Sequence, residues 1–393
     1  MSLSDNSSQI KARFKDTLEH TLPPSNRDEA WRYSKIETFG GMDKVVKIAS
    51  RIPSIKVNSS KGRISNSLDE EILTHLEVEA IIGGGENILG SGVSSPISSQ
   101  YLENLVAYHA LENPTTAVRT IALLEDSLGE SNVVEIEGEG SALLVVSIPE
   151  GVKASLSIKI GSSGMLLPRF SFHIRRGAKL SILIEGAPIN EVIGLARFYL
   201  GTQAEIDLVL QGALAKESVG GGNHRFDTEI VLAESRSRAR VTGVMRLTGR
   251  DQVSWHTSQI HLAPNCHSDL SCRAVVDGSA RSIYSGYIKV SPKAHQTDAY
   301  QKSSNLLLSK RGRVDAIPNL EIKANDVKCS HGASVKKIGE EELFYCESRG
   351  IPPNECKQLL TDGFLREAYG RIERKAVFQP LLDILNPQAF ENE

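Results

Sequence analysis

The chain has 393 residues, enough for two or three domains around a large buried core, yet only 5% are aromatic while glycine is abundant at 32. A formal net charge of −3 gives no basic field for nucleic acid, and no apolar run approaches the roughly 18 residues of a membrane span. Five cysteines, an odd number, fit a reducing compartment better than a disulfide framework, and the polar start lacks a signal peptide's apolar stretch, so a cytoplasmic location is expected.

Residues 9–21 repeat at helical spacing, with Ile10, Phe14 and Leu18 opposite Lys11, Lys15 and Glu19, until Pro23 and Pro24 stop the pattern. Ser25 or Asn26 can cap a second helix through Trp31 and Tyr33, whose rings read as packing residues. From Val45 to Gln100 the pattern is weak, with a polar loop at Asn58 to Ser67 and a helical stretch at Leu68 to Leu76. Gly83, Gly84 and Gly85 lack the Gly-Lys-Ser/Thr ending of a phosphate loop, so a loop or helix end is the better reading. Leu102, Leu105, Val106 and His109 mark a short amphipathic helix.

From about Ala117 short runs of Val, Ile and Leu alternate with Gly and Ser for most of the remaining chain, the grammar of strand and turn. Period-two alternation is clear from Leu156 to Ile160 and looser from Ile206 to Leu210. Corner-plus-strand units begin near Ala178, Ala204, Ala239 and Asp269, separated by 26, 35 and 30 residues. Such periods point to stacked coils of a β-solenoid, with a β-sandwich as the structural rival. Gly220 to His224 reads as a loop between coils, with His224 solvated. The resulting division is a mixed helical region at 1–115, a strand-rich core at 116–335 and a helical region at 336–393.

Two constellations carry chemistry. His256, His261, Cys266, His267 and Cys272 lie close in sequence, but their spacing is not that of a compact zinc site. Cys266 and His267 are adjacent, so on a strand they point apart. A polar or buried place in the wall is the favoured reading, with His261, Cys266 and Cys272 kept as weak metal candidates. Cys329 and His331 differ by two, which on an extended chain puts both side chains on one face, about 7 Å apart. One soft or borderline metal can share such a pair, but two ligands do not close a site, so a third must come from elsewhere or from another chain.

After Gly339 the pattern turns helical, with Leu343, Phe344 and Cys346 among Glu340, Glu341, Glu342 and Glu347. Pro352 and Pro353 break that helix and so keep Cys346 and Cys356 from joint ligation. Leu359, Leu360, Phe364 and Tyr369 form the apolar face of a last helix, ordinarily internal packing. No nucleophile elbow, Walker motif or paired-carboxylate signal occurs.

Pro318, Leu320-Glu321-Ile322 and the run from Asn325 to Ala333, which contains Cys329-Ser330-His331-Gly332, resemble the signature of the SufB/SufD family of iron–sulfur cluster assembly scaffolds. Gln296 to Ala299, Gln301, Asn305 to Ser309, Leu343-Phe344-Tyr345 and Ser348-Arg349-Gly350-Ile351 extend the likeness, which is nearly continuous from His261 to Gly363 and most similar to the SufD branch. Glu29, Trp31-Arg32-Tyr33-Ser34 and Ile36 are similar to a stretch near the SufD N-terminus. The resemblance implies a mainly β fold, a right-handed parallel β-helix core between N- and C-terminal helical regions, and so decides against the sandwich.

It also implies roles. His331 would face an essential Cys of a SufB-type subunit across a heterodimer interface where a transient iron–sulfur cluster forms, with Cys329 beside it. The region from Leu343 to Phe364 would dock a SufC-type ABC ATPase, with Leu343, Phe344, Tyr345, Arg349, Gly350, Leu360, Gly363 and Phe364 as candidates. SufB carries its essential Cys six residues before the motif's Pro; that position here is Gly312, and SufB's Glu after the His is here Gly332. The chain is therefore expected to be the SufD-type partner, a non-catalytic scaffold, with a homodimeric scaffold as the alternative. A requirement for reduced flavin is left open. From other classes, a polysaccharide-active β-helix would want clustered acids, whereas Glu205, Asp207, Asp251, Asp269 and Asp277 are scattered; a purely structural solenoid leaves Cys329 and His331 unexplained.

Overall fold

The computed structural model describes residues 36–39, 41–59, 62–65, 118–127, 132–161, 164–186, 191–212, 221–372 and 376–385, with positions 12, 19, 105 and 109. The expected helix at 9–21 apart from positions 12 and 19, the one at 68–76, most of the segment around Trp31 and Tyr33, and Gly83 to Gly85 lie outside the described residues. Among the described residues, no helix is long and apolar enough to cross a membrane.

Among the described residues, the short β-branched runs form eighteen strands in two nine-stranded sheets. One sheet is ordered β1 (Ser54–Asn58), β4 (Val133–Glu137), β6 (Lys153–Gly161), β8 (Lys179–Gly186), β10 (Glu205–Gly212), β12 (Arg238–Leu247), β14 (His267–Val276), β16 (Thr297–Leu307) and β18 (Val327–Lys337). The other is ordered β2 (Gly62–Ser65), β3 (Val118–Leu123), β5 (Gly140–Ile148), β7 (Met165–Ile174), β9 (Glu191–Leu200), β11 (Asn223–Leu232), β13 (Gln252–His261), β15 (Arg281–Val290) and β17 (Arg313–Ile322). From β3 onward successive strands alternate between the sheets, and every pairing among these strands is parallel. The product is a β-solenoid of about seven coils, not a sandwich. Its first end is covered by antiparallel pairings, β1 on β4 and β2 on β3.

In-register stacking makes the interior a set of columns. Leu156, Ile182, Leu208, Val241 and Leu270 follow one another across β6 to β14, all buried. Each such side chain contributes about 1.5–3 kcal/mol through burial. Corners are equally regular. Gln203, Arg236, Asn265 and Gln296 take left-handed φ values of 58°, 61°, 61° and 56°, and the residues after them, Ala204, Ser237, Cys266 and Thr297, are small and buried. His224 departs from its expected place in a loop: Asn223 opens β11, and His224 faces the interior with Phe226.

Helices cover the outer faces. Helix α1 (Gly41–Ala49) and Leu105 pack with Met165, Leu167 and Ile193 outside β7 and β9. At the other end come α2 (Glu340–Ser348), α3 (Pro353–Tyr369) and α4 (Gln379–Leu385). Leu365, Ala368, Ile372, Phe378 and Leu381 from this end pack on Leu183, Val209, Val244, Val275 and Leu306 of the first sheet.

Candidate functional site

The solenoid's last coil consists of β17 and β18, and each is the final strand of its sheet among the described residues. Strand β16 alternates buried and exposed residues from Thr297 to Lys302, with Thr297, Ala299 and Gln301 inward. Register pairs Ala299 with Cys329 and Gln301 with His331. Cys329 and His331 therefore occupy inward columns of β18, yet Cys329 is only half-buried and His331 is exposed, because among the described residues no further coil lies over them. The His331 column is apolar through Leu270, then polar at Gln301 and His331. Leu320 and Ile322 on β17 and Val335 on β18 stand in the same open coil, 36%, 40% and 50% exposed.

An open end of this kind offers both apolar surface and unpaired backbone N–H and C=O groups to another chain. Lys328, Lys336 and Lys337 on β18 restrict indiscriminate pairing. Pro318, which lacks an N–H, is tolerated in β17 because that strand is last in its sheet. Partial burial raises the Cys329 thiol above its ordinary range; the negative charge of Asp298 adds to this, and a hydrogen bond to the Ala299 backbone opposes it. The neutral thiol is thus favoured in the free chain, whereas ligation needs the thiolate. Among the described residues, no group of three or more His, Cys, Asp and Glu side chains is placed to hold a metal ion. The thiol and imidazole are a partial donor set.

The weaker candidates lie inside the wall. Cys266 is the small residue of a corner, in the position that Ala204, Ser237 and Thr297 fill in other coils, with its sulfur 3.3 Å from the Glu234 carbonyl oxygen. Cys272 is buried, and its thiol is pushed well up by desolvation. His261 is buried, its Nε2 2.8 Å from Ser268 Oγ, and burial lowers its pKa to about 3. Gly312 lies in the turn before β17 and donates its N–H to Ser309 Oγ at 3.0 Å; a Cβ there would sit 3.1–3.2 Å from Ser309, Leu307 and Val276. Asp207 and Asp269 are drawn into ion pairs with Arg240 at 3.8 Å and Arg371 at 3.0 Å.

A second surface lies on α2 and α3. Three glutamates open α2, where the helix dipole favours negative charge, and the Gly339 N–H donates to Glu342 Oε2 at 2.9 Å. Phe344 and Tyr345 are 72% and 62% exposed, and the Arg349 guanidinium lies 5.5 Å from the Tyr345 ring centre. Gly350 turns the chain with a φ of 76°, while Leu343 and Leu360 are half-buried and Gly363 is exposed. Phe364 is half-buried with Arg273 5.1 Å from its ring centre. Leu359, read from sequence as a packing residue, is 57% exposed and belongs with this surface. Cys346 and Cys356 also differ from expectation: the break at Pro352 and Pro353 folds α3 back on α2, and the two form a disulfide with Cα atoms 5.9 Å apart.

A parallel solenoid that ends in an open coil with an inward thiol and imidazole, followed by helices with exposed aromatic residues, defines a binding scaffold. Family comparison makes this specific. Residues 164–364, just over half of the chain, match the SufBD core domain of the SUF system of FeS cluster assembly, and the chain belongs to that family. It is 32% identical over 164 residues to the iron–sulfur cluster assembly protein SufD of Escherichia coli, a match covering 42% of this chain and 39% of SufD. It is 25% identical over 423 residues to the chloroplastic protein ABCI7 of Arabidopsis thaliana, covering 96% of this chain and 86% of that one. A SufBD family protein of Mycobacterium leprae is 22% identical over 375 residues, covering 91% and 88%. The matched stretch thus spans well under half of the SufD relative.

Proposed function

We propose that this chain is a SufD-like scaffold subunit of a SUF assembly complex in the cytoplasm, pairing through its last coil with a SufB-type subunit and through α2 and α3 with a SufC-type ATPase. The observation that carries this reading is the exposure of inward-facing Cys329 and His331 on β18, the edge strand whose outer side has no neighbour among the described residues. A partner strand laid against β18 would complete the coil and bring its own ligands to the thiol and imidazole. The nascent cluster is cargo, held between chains and handed on, so the chain itself performs no turnover. ATP binding by the partner would alter how the two scaffolds meet and expose the donors to iron and sulfide. Gly312 supports the SufD-type role, since the thiol a SufB-type chain would carry is absent and its surroundings are already close-packed.

The test is co-expression with the neighbouring genes, purification of the complex, and anaerobic addition of iron and sulfide. Wild type and His331→Ala are compared by visible absorbance on complexes of verified composition. Loss of the charge-transfer bands in an intact mutant complex is expected. Normal loading without His331 would move the ligands elsewhere, and failure to bind either an ATPase or a second scaffold would overturn the reading.

A further inference from the structure

Helix α2 buries none of its residues, although it carries the exposed aromatic pair Phe344 and Tyr345. Nine residues are too few for a stable isolated helix in water. Among the described residues, its polar tie to the solenoid is the exposed ion pair of Lys336 with Glu342, at 3.2 Å, and exposed pairs contribute little. What anchors it is the bond from Cys346 to Cys356, which is itself fully buried on α3. The segment between the cysteines contains Pro352, Pro353 and the left-handed Gly350, so the turn that brings them together is built into the chain.

We propose that Cys346 and Cys356 form a reversible redox site that fixes α2 in place when oxidised and releases it when reduced. The reductant is a protein dithiol of the thioredoxin class. Its thiolate attacks Sγ of Cys346, a half-buried residue, while Cys356 is 0% exposed. The Cys346–Cys356 bond breaks as a mixed disulfide forms, and Cys356 leaves as a thiolate that takes up a proton. The second thiol of the reductant then displaces Cys346, which is protonated in turn, and the reductant departs as a disulfide. Two electrons and two protons pass to the chain; an oxidised dithiol of the same class reverses the exchange. In a reducing compartment such a bond is held transiently, as in redox-sensing proteins. The effect on ATPase docking rests on the function proposed above: a released α2 must be re-ordered on binding, which weakens affinity by about tenfold.

The full chain is examined with and without dithiothreitol, and as Cys346→Ser and Cys356→Ser. Alkylation after denaturation reads the thiols, with three free in the oxidised chain, Cys266, Cys272 and Cys329, and two more after reduction. Hydrogen exchange reads α2, and far-UV circular dichroism confirms that the solenoid is retained. Faster exchange confined to residues 340–348 on reduction, reproduced by either serine variant, is the expected result. Equal protection of α2 in both states, or five free thiols after mild oxidation, overturns the site. The purified SufC-type subunit is then titrated against both states. About tenfold weaker binding on reduction supports the linkage, and equal affinity overturns it. No binding in either state, with α2 still released by reduction, sinks the docking surface while the redox site stands.

Discussion

Gln301 lies directly beneath His331, since the two pair Cα to Cα between β16 and β18 and occupy one inward column. The Gln301 amide is fully buried and accepts a hydrogen bond from Gln259 Nε2 at 3.4 Å. Across the interior Gly286 leaves room for it, because a Cβ there would overlap the amide group. Gly286→Ala is therefore expected to destabilise the chain by about 1–3 kcal/mol through overpacking. In a Gln301→Ala background the same substitution should cost much less, since the obstructing amide is gone. Urea unfolding of the four chains measures the coupling, and additive effects would show that Gly286 is not there for Gln301.

Loading at the open coil should depend on pH through Cys329. Its raised pKa leaves the thiol neutral near pH 7, and the ligand form is the thiolate. Below that pKa each unit of falling pH lowers the thiolate fraction about tenfold, so cluster formation should weaken as pH falls from 9 to 7. Cys329→Ser is expected to remove the part of this dependence that belongs to the thiol. Initial rates of anaerobic loading across that range measure it; an unchanged profile in the variant would show that the Cys329 thiolate is not a ligand.

The helical end separates binding from stability. Phe344 is 72% exposed, so Phe344→Ala should change unfolding free energy by no more than about 0.5 kcal/mol. On the docking proposed above, the affinity of this variant for a SufC-type ATPase should nevertheless fall at least tenfold. Phe378, fully buried against the first sheet, provides the contrast: truncation there should cost about 3–5 kcal/mol. Thermal unfolding and calorimetric titration of both variants distinguish the two roles.

Alternation made β6 legible, because Leu156, Ile158 and Ile160 are buried inside the coil while Lys159 is exposed. It was looser in β10 for a physical reason. Leu208 and Leu210 face the interior, but Val209 is buried too, under the C-terminal helices, so both faces are apolar. The placement of Cys329 and His331 on one face likewise followed from their spacing; their exposure did not, since it depends on where stacking stops. Three glycines concealed that Asn223 and His224 open a strand. The pairing of Cys346 with Cys356 was hidden because a proline break shows only that a helix ends, and the direction of the chain afterwards is set by tertiary packing. The SufB/SufD signature supplied the family and the coil architecture, which periodicity alone could not separate from a sandwich.

Three interior or sheet-face histidines set the acid stability of the solenoid. Desolvation lowers His224 to about 4 despite the opposing charge of Asp251, and lowers His261 to about 3 with help from His267. His256 is held well below its ordinary value by burial and then by Arg225, and neither of its ring nitrogens has a hydrogen-bond partner among the described residues. In the unfolded chain these groups protonate near pH 6.5, so below that the unfolded state binds more protons than the folded one. Their contribution is complete above pH 6.5 and is lost as pH falls toward 4 for His224 and toward 3 for His261. For His261 alone the loss by pH 4 is on the order of 3 kcal/mol. Urea unfolding at pH 7, 5.5 and 4.5 should show falling midpoints, with a shallower slope in His261→Gln. A midpoint independent of pH over that range would mean that these imidazoles take up protons without unfolding the coils around them.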